Sequence, residues 1–384
     1  MNKKEEIERA LAAADQPLMV ESATQLKQAA SDWLKCDVIG IDTEFVRERT
    51  WRADLGLVQL SDGKTVWLVD PLRTGSLRPL SELFDRPDIV KILHAPSEDL
   101  DVLLYTTGSC PEPLFDTQLA CAMLGESLQM GYHKTVEWLL GITIDKGETR
   151  SNWLKRPLRP AQLHYAALDV CLLPMMHQEL AGRLAQLDRS NWLYEDSARM
   201  VKKAHTPPDP EQSWKRINGN HRLDGNSLSI LQRLAKWRDH EAERRNIARG
   251  FVIKDTELLS ISNHKITDPD ELSRLEILHP RVIERYGKTL VSKVTDVLQQ
   301  NLQATPLPVL DNSQKPLLTS MRDYVQQKAK QLSVDPALLA SKKELENLIL
   351  SAEATTLPRK FQGWREDIIG NELMKLKEQY FEQP

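Results

Sequence analysis

Between residues 17 and 95, short apolar runs alternate with polar turns in the manner of strands. Val38-Ile39-Gly40-Ile41 is one run, 90–93 is another, and 55–60 and 65–69 are two more joined by Ser61-Asp62-Gly63-Lys64. Asp-Gly supplies the positive φ of a tight turn, so the last pair reads as a hairpin. From residue 97 the apolar spacing changes to three and four, which predicts helices over 97–106, 116–124, 132–140 and 160–186. A mixed sheet flanked by helices is therefore expected over 17–203, preceded by a short polar helix or N-terminal arm at 1–16. Pro207, Pro208 and Pro210 mark a linker at 204–210. Beyond it the pattern is helical throughout, in two blocks at 211–300 and 310–384 separated by a second proline-rich break. The blocks share a faint echo: Trp237-Arg238-Asp239 precedes Asp255-x-x-Leu258-Leu259, and Met321-Arg322-Asp323 precedes Asp335-x-x-Leu338-Leu339. Two copies of one helical module account for it, and so does chance between leucine-rich helices.

Composition narrows the class. The 384 residues are 41% hydrophobic and 28% charged, which excludes a disordered or collagen-like chain. A net charge of −4 excludes a broadly basic nucleic-acid coat, so any nucleic-acid surface is local. Cys36, Cys110, Cys121 and Cys171 are scattered without a C-x-x-C pair, as expected in a reducing compartment. The charged N-terminus lacks the apolar core of a signal peptide, and the apolar stretch 170–176 is far short of a membrane span. A cytoplasmic chain without a membrane partner is expected.

The candidate chemistry is acidic. Ile39-Gly40-Ile41 runs directly into Asp42-Thr43-Glu44, and positions i and i+2 of a strand share a face. Two adjacent carboxylates repel unless a cation lies between them, and hard divalent ions prefer such oxygens. A solvated strand end is the other reading of this pair alone. His94-Ala95-Pro96-Ser97-Glu98-Asp99 passes from a strand into a helix, where acids also serve to complement the first turn. His94 reads as a packing residue and Asp116 as a helix N-cap. In Gln162-Leu163-His164-Tyr165-Ala166-Ala167-Leu168-Asp169, Tyr165 and Asp169 are i, i+4 neighbours on one helix face.

In that order these elements resemble the DEDD superfamily of 3′-to-5′ exonucleases, tyrosine subclass, and within it the ribonuclease D family. The resemblance is carried further by Leu57-Val58-Gln59-Leu60, Asp116-Thr117-Gln118 and Ser151-x-Trp153-Leu154-x-Arg156-Pro157-Leu158, over about 17–200. The block 211–300 looks like the HRDC module found in that family, and 310–384 like a degenerate second copy. The resemblance implies a ribonuclease H-like α/β exonuclease domain followed by two small all-α HRDC-type domains. It implies 3′-to-5′ hydrolysis of RNA, tRNA precursors among the substrates, with nucleoside 5′-monophosphates as products. Asp42, Glu44, Asp99 and Asp169 would hold two divalent ions, Mg²⁺ or Mn²⁺, one activating water and the other stabilising the leaving 3′ oxygen. Tyr165 would orient the water or touch the phosphate.

His164 and Asp169 also satisfy the His-x-x-x-x-Asp spacing of the histidine subclass. Residues five apart lie roughly 140° around a helix and residues four apart roughly 40°, which favours Tyr165. Phe45 is a candidate to stack on the terminal base, Gln59 to reach the terminal nucleotide and Arg156 to hold a phosphate, with packing or a solvated surface the other reading of each. Residues 211–300 carry a net charge of +3, and Arg233, Lys236, Arg238, Arg244, Arg245 and Arg249 crowd one helix and its exit. They suit phosphate contact, or a solvated helix face interleaved with Asp239, Glu241 and Glu243. A DNA exonuclease is the nearest alternative and a non-catalytic RNA-binding protein a remoter one. A monomer is expected.

Overall fold

The turn read from Asp62-Gly63 forms as its chemistry requires. Asp62 Oδ1 accepts from the Lys64 and Thr65 amides at 2.8 and 2.7 Å, and Gly63 takes φ 82°. It joins two antiparallel strands of a six-stranded mixed sheet. A computed structural model describes residues 2–145, 147–148, 151–274, 276–351 and 357–382. The strands are β1 (Leu18–Val20), β2 (Val38–Val46), β3 (Asp54–Ser61), β4 (Val66–Val69), β5 (Val90–Leu93) and β6 (Leu114–Asp116). Their order is β1-β4-β3-β2-β5-β6. β2 pairs in parallel with β5 from Val38↔Val90 to Gly40↔Ile92, and β5 in parallel with β6. The ladder with β5 stops at Gly40, so the part of β2 that carries Asp42 and Glu44 runs on past it.

The chain forms two compact units. The first comprises 1–46, 55–205 and 309–384, the second 47–54 and 206–308. In the first, helices Ser97–Thr107, Thr117–Met123 and Tyr132–Leu140 stand within a residue or two of their expected ends. The expected single helix over 160–186 is broken into Pro160–Cys171 and Leu173–Gln186. Pro174 lacks an amide hydrogen and cannot continue the first helix, but it is well accommodated in the first turn of the second. The N-terminal segment is not a free arm. Helix Lys3–Asp15, closed by an Asn2/Glu5 capping box, buries Ile7, Ala10 and Ala14 and packs on Pro160–Cys171.

The last segment shares the core of the first unit instead of standing alone. Trp364 stacks on Trp192 at 4.3 Å and 8°, and the Arg365 guanidinium grips Asp196 through two bonds of 2.7 Å. Leu317, Met321, Val325 and Leu345 sit in one cluster with Phe115, Ala166 and Leu180.

In the second unit, helix Gly225–Arg245 ends on Asn246 in the left-handed region, followed by helices Arg249–Val252 and Asp255–His264. In the first, helix Lys315–Leu332 ends on left-handed Ser333, followed by Pro336–Leu339 and Lys342–Leu350. Asn246 and Ser333 are 87 positions apart, and so are the starts of the next two helices, 249 and 336, then 255 and 342. At that offset Leu231, Leu234, Ala242, Val252, Leu258 and Ile261 match Leu318, Met321, Ala329, Leu339, Leu345 and Leu348, all buried. The two copies are thus one architecture. The pairing of Asp255 with Asp335 suggested by the sequence echo is out of register, because Asp335 caps Pro336–Leu339 whereas Asp255 opens the following helix.

The stretch 47–54 between β2 and β3 belongs to the helical unit. Arg49 O accepts from the Ala248 amide at 2.8 Å, and the Arg52 amide donates to Asn246 Oδ1 at 3.1 Å. The Arg249 guanidinium lies 4.2 Å over the Trp51 ring. No helix among the described residues is long and apolar enough to cross a membrane.

Candidate active site

Along β2, Ile39, Ile41 and Thr43 are buried, and the alternation turns Gly40, Asp42 and Glu44 to the other face. Gly40 decides how near the neighbouring helix comes. A Cβ there would lie 2.8 Å from Leu173 Cβ and 3.1 Å from Val170 O. The end of helix Pro160–Cys171 therefore approaches β2 closely enough to bring Asp169 to the pair of acids. One carboxylate oxygen from each of Asp42, Glu44 and Asp169 lies within 4.8 Å of the others.

Asp99 reaches the same region by a different device. Asp116 Oδ1 accepts from the Gln118 amide at 2.9 Å, capping helix Thr117–Met123, and from the Ala95 amide at 3.1 Å. Ala95 is held at φ 56°, a conformation unusual for a residue with a Cβ. This bend launches helix Ser97–Thr107, and Asp99 in its first turn accepts a hydrogen bond from Thr43 Oγ1. Asp99 lies outside the tight trio, but its charge acts on both Asp42 and Glu44.

The electrostatics are those of crowded, buried anions. Burial, then Asp99, Asp169 and Glu44, hold Asp42 well above the carboxylate range. Glu44 is pushed up to about 9 by burial and then by Asp169 and Asp99. Burial raises Asp169 to about 7 against a hydrogen bond from Tyr165, and Asp99 to about 6 against the bond from Thr43. Such a set of hard oxygen donors fits a divalent cation, which would relieve the mutual repulsion.

Tyr165 stands one helical turn before Asp169 and holds its carboxyl down against the effect of burial. Its ring lies 6.2 Å from that of Trp153, and a Cβ on Gly147 would come within 3.0 Å of its Cδ2. Burial and the neighbouring anions raise its hydroxyl above the ordinary range, so it stays protonated at neutral pH. His164 turns the other way: its Nδ1 lies 3.5 Å from Asp15 Oδ1, and the side chain is half exposed.

Three further residues are candidate substrate contacts. Phe45 is half-buried at the end of β2. Gln59 is fully buried in β3, and neither of its amide atoms finds a partner among the described residues. Arg156 is spent inside the fold: Nε and Nη2 donate to the two oxygens of buried Asp70 at 2.6 and 2.9 Å, Nη2 also to Gly56 O at 2.6 Å, and Nη1 to Trp153 O at 2.7 Å. A Cβ on Gly56 would lie 2.7 Å from Trp153 O. The Ser-Trp-Arg segment is thus a clamp across β3 that supports Trp153, and through it Tyr165. His94 packs as expected: its ring bonds Thr117 Oγ1 at 2.8 Å and Met130 O at 2.9 Å, and burial lowers it to about 4.

Sequence reasoning missed Thr43, Asp70 and Tyr132. Tyr132 donates to Leu168 O at 2.9 Å, bracing the helix turn before Asp169. Asp70 carried a signal of its own, an Asp before Pro71 at a helix start, but that signal speaks only of capping.

Compared with known proteins, residues 17–185 match a 3′-5′ exonuclease family model and residues 227–294 an HRDC domain model. The chain is 37% identical over 365 residues to ribonuclease D of Pseudomonas paraeruginosa, covering 94% of this chain and 97% of that protein. It is 34% identical over 361 residues to ribonuclease D of Shewanella sp., covering 93% of each. Its fold superposes on the crystal structure of Escherichia coli RNase D, described as an exoribonuclease involved in structured RNA processing. The TM-score is 0.87 at 30% identity, covering 95% of this chain and 99% of that one.

Proposed function

Because the chain belongs to the ribonuclease D family of 3′-to-5′ exoribonucleases, we propose that it trims structured RNAs bearing single-stranded 3′ tails, tRNA precursors first among them, one nucleotide at a time. The observation that carries this reading is the convergence of Asp42, Glu44 and Asp169 within 4.8 Å, with Tyr165 one helical turn before Asp169. These three acids and Asp99 would hold two divalent ions, Mg²⁺ or Mn²⁺. Such ions, when bound, supply charge neutralisation at the phosphoryl group and a more acidic water.

The chain's own groups do the rest. Thr43 fixes the Asp99 carboxylate, leaving its second oxygen for the site. Tyr165 remains a phenol, so it orients water or a phosphate oxygen by donating a hydrogen bond and does not act as a base. Phe45 offers an aromatic edge to the terminal base at the end of the strand that carries the acids. Water adds across the terminal P–O3′ bond: the released nucleotide keeps a 5′-phosphate and the shortened chain keeps its 3′-hydroxyl. The enzyme acts as a monomer.

The test is direct. End-labelled RNA and DNA of one sequence are incubated with Mg²⁺ or Mn²⁺ and the products resolved. We expect 5′-monophosphates from the RNA 3′ end, little turnover of DNA, and no turnover with Asp42→Asn or Asp169→Asn. Tyr165→Phe should cost far more kcat than His164→Ala. Full activity in either carboxamide variant would refute the assignment, and the reverse order of Tyr165 and His164 would refute the role given to the tyrosine.

A further inference from the structure

The helix that carries Tyr165 and Asp169 does not finish as a regular helix. In an unbroken turn the Leu172 amide would donate to Leu168 O. Here it turns to Val170 O, and Pro174 has no amide hydrogen to offer Val170 O. Leu168 O, the carbonyl directly before Asp169, is thereby left to other donors. Cys171 Sγ approaches it at 3.7 Å, and a thiol is a weak donor. The bond of ordinary length comes from another helix: Tyr132 Oη donates at 2.9 Å.

Tyr132 opens helix Tyr132–Leu140, and its ring reaches toward the launch of the fourth acid. It meets the His94 ring edge-on, with centroids 5.8 Å apart at 70°. His94 is itself pinned by Thr117 Oγ1 and Met130 O. The next residue, Ala95, holds the φ of 56° from which helix Ser97–Thr107 and Asp99 start. One side chain therefore touches both the residue before Asp169 and the residue before the bend that launches Asp99. Burial, then Cys171, Asp169 and Asp42, hold its phenol above the ordinary range, so at neutral pH it remains a donor.

Buried anions repel, and their repulsion pushes apart the elements that carry them. Thr43 holds Asp99 to β2, and Gly40 seats helix Pro160–Cys171 on β2. Both act through the strand, whereas Tyr132 joins the two later elements without it. We propose that Tyr132 is a positioning residue for the metal site: its hydroxyl, anchored on Leu168 O, and its ring, packed on His94, hold Asp169 and Asp99 at the separation a divalent ion requires. The proposal rests on the reading of the acids as the divalent-ion site of a nuclease. Because the hydroxyl is committed to a backbone carbonyl, it leaves the carboxylate oxygens free for an ion and acts through Asp169, not on the substrate. Tyr132→Phe keeps the ring on His94 and removes only the hydroxyl, so Leu168 O loses its donor and the last turn is free to drift.

Free Mn²⁺ is counted by electron paramagnetic resonance as the full-length protein is titrated, and hydrolysis of end-labelled RNA in Mg²⁺ and RNA affinity in EDTA are measured alongside. Tyr132→Phe should raise the Mn²⁺ Kd about tenfold and lower kcat about tenfold, with KM and the RNA affinity in EDTA within about twofold of wild type. Leu139→Ala, which opens a cavity under the same helix, should lower Tm at least as far and leave Mn²⁺ affinity and kcat near wild type. Unchanged Mn²⁺ affinity and kcat in Tyr132→Phe would overturn the positioning role. Equal losses in Leu139→Ala would overturn it too, by making the stability of the helix the cause. Wild-type protein that binds Mn²⁺ but leaves RNA intact would sink the nuclease reading, and the Mn²⁺ titrations alone would then decide the tether.

Discussion

A carboxylate that is easy to protonate in the folded protein makes that fold sensitive to alkali. Glu44 at about 9, Asp169 at about 7 and Asp99 at about 6 all lie above the ordinary values of 4.5 and 3.8. The folded state therefore binds these protons more tightly than the unfolded chain. Their contribution is fully present below about pH 4 and is lost as pH rises through about 6 to 9. In EDTA, Tm should fall between pH 5 and pH 9 by more in the wild type than in Asp42→Asn, and Mg²⁺ should restore the wild type most at the alkaline end. Parallel Tm curves for the two proteins in EDTA would show that the acids do not repel one another as described. At this scale the sequence was informative where the chemistry is local. Asp42-x-Glu44 and Tyr165-x-x-x-Asp169 can be read because strand and helix periodicity alone put each pair on one face. The surroundings of Gln59 and Arg156 were not legible, because being polar beside a motif says nothing about burial, and Arg156 meets its partner Asp70 86 positions away.

Elements meet at the site through absences of side chain as much as through contacts. Gly40 lets helix Pro160–Cys171 lie against β2, and it is that approach which brings Asp169 to Asp42. Gly40→Ala should push the helix off by a few tenths of an ångström or more and lower kcat by about 10²-fold with little change in RNA affinity. Near-wild-type kcat in the alanine variant would mean that the acids tolerate looser placement. The helix break at 172–174 belongs to the same scale. Leucine and methionine spacing runs straight through 160–186, so periodicity reads one helix. Only the missing amide of Pro174 separates the two, and it frees the second to turn along the sheet.

In the whole molecule the two helical copies have parted company. One has its hydrophobic face completed within the unit that includes the sheet, where Trp364 stacks on Trp192 and Arg365 holds Asp196. Trp364→Ala should destabilise that unit by about 3 kcal/mol in urea unfolding. A change below about 1 kcal/mol would mean that the stacked pair contributes little. The repeat itself was half legible. Its helices declare themselves by spacing, but the register emerges only when the left-handed caps Asn246 and Ser333 are aligned, and serine, unlike asparagine, does not announce that conformation.

The residues directly after β2, 47–54, are folded into the helical unit, with Trp51 beneath Arg249 and Arg49 bonded to Ala248. The polypeptide thus passes between its two bodies four times, at 46, 54, 205 and 308. A cut in the proline-rich stretch near 207 would leave the fragments knitted together by the Trp51–Arg249 contact and by the bonds of Arg49 and Arg52. Removing 206–308 by recombination would strand an orphaned tryptophan at the mouth of the strand that bears Asp42. Nuclease core and accessory module are in this sense interlaced, and a module can be replaced here only by a relative that keeps a seat for that loop.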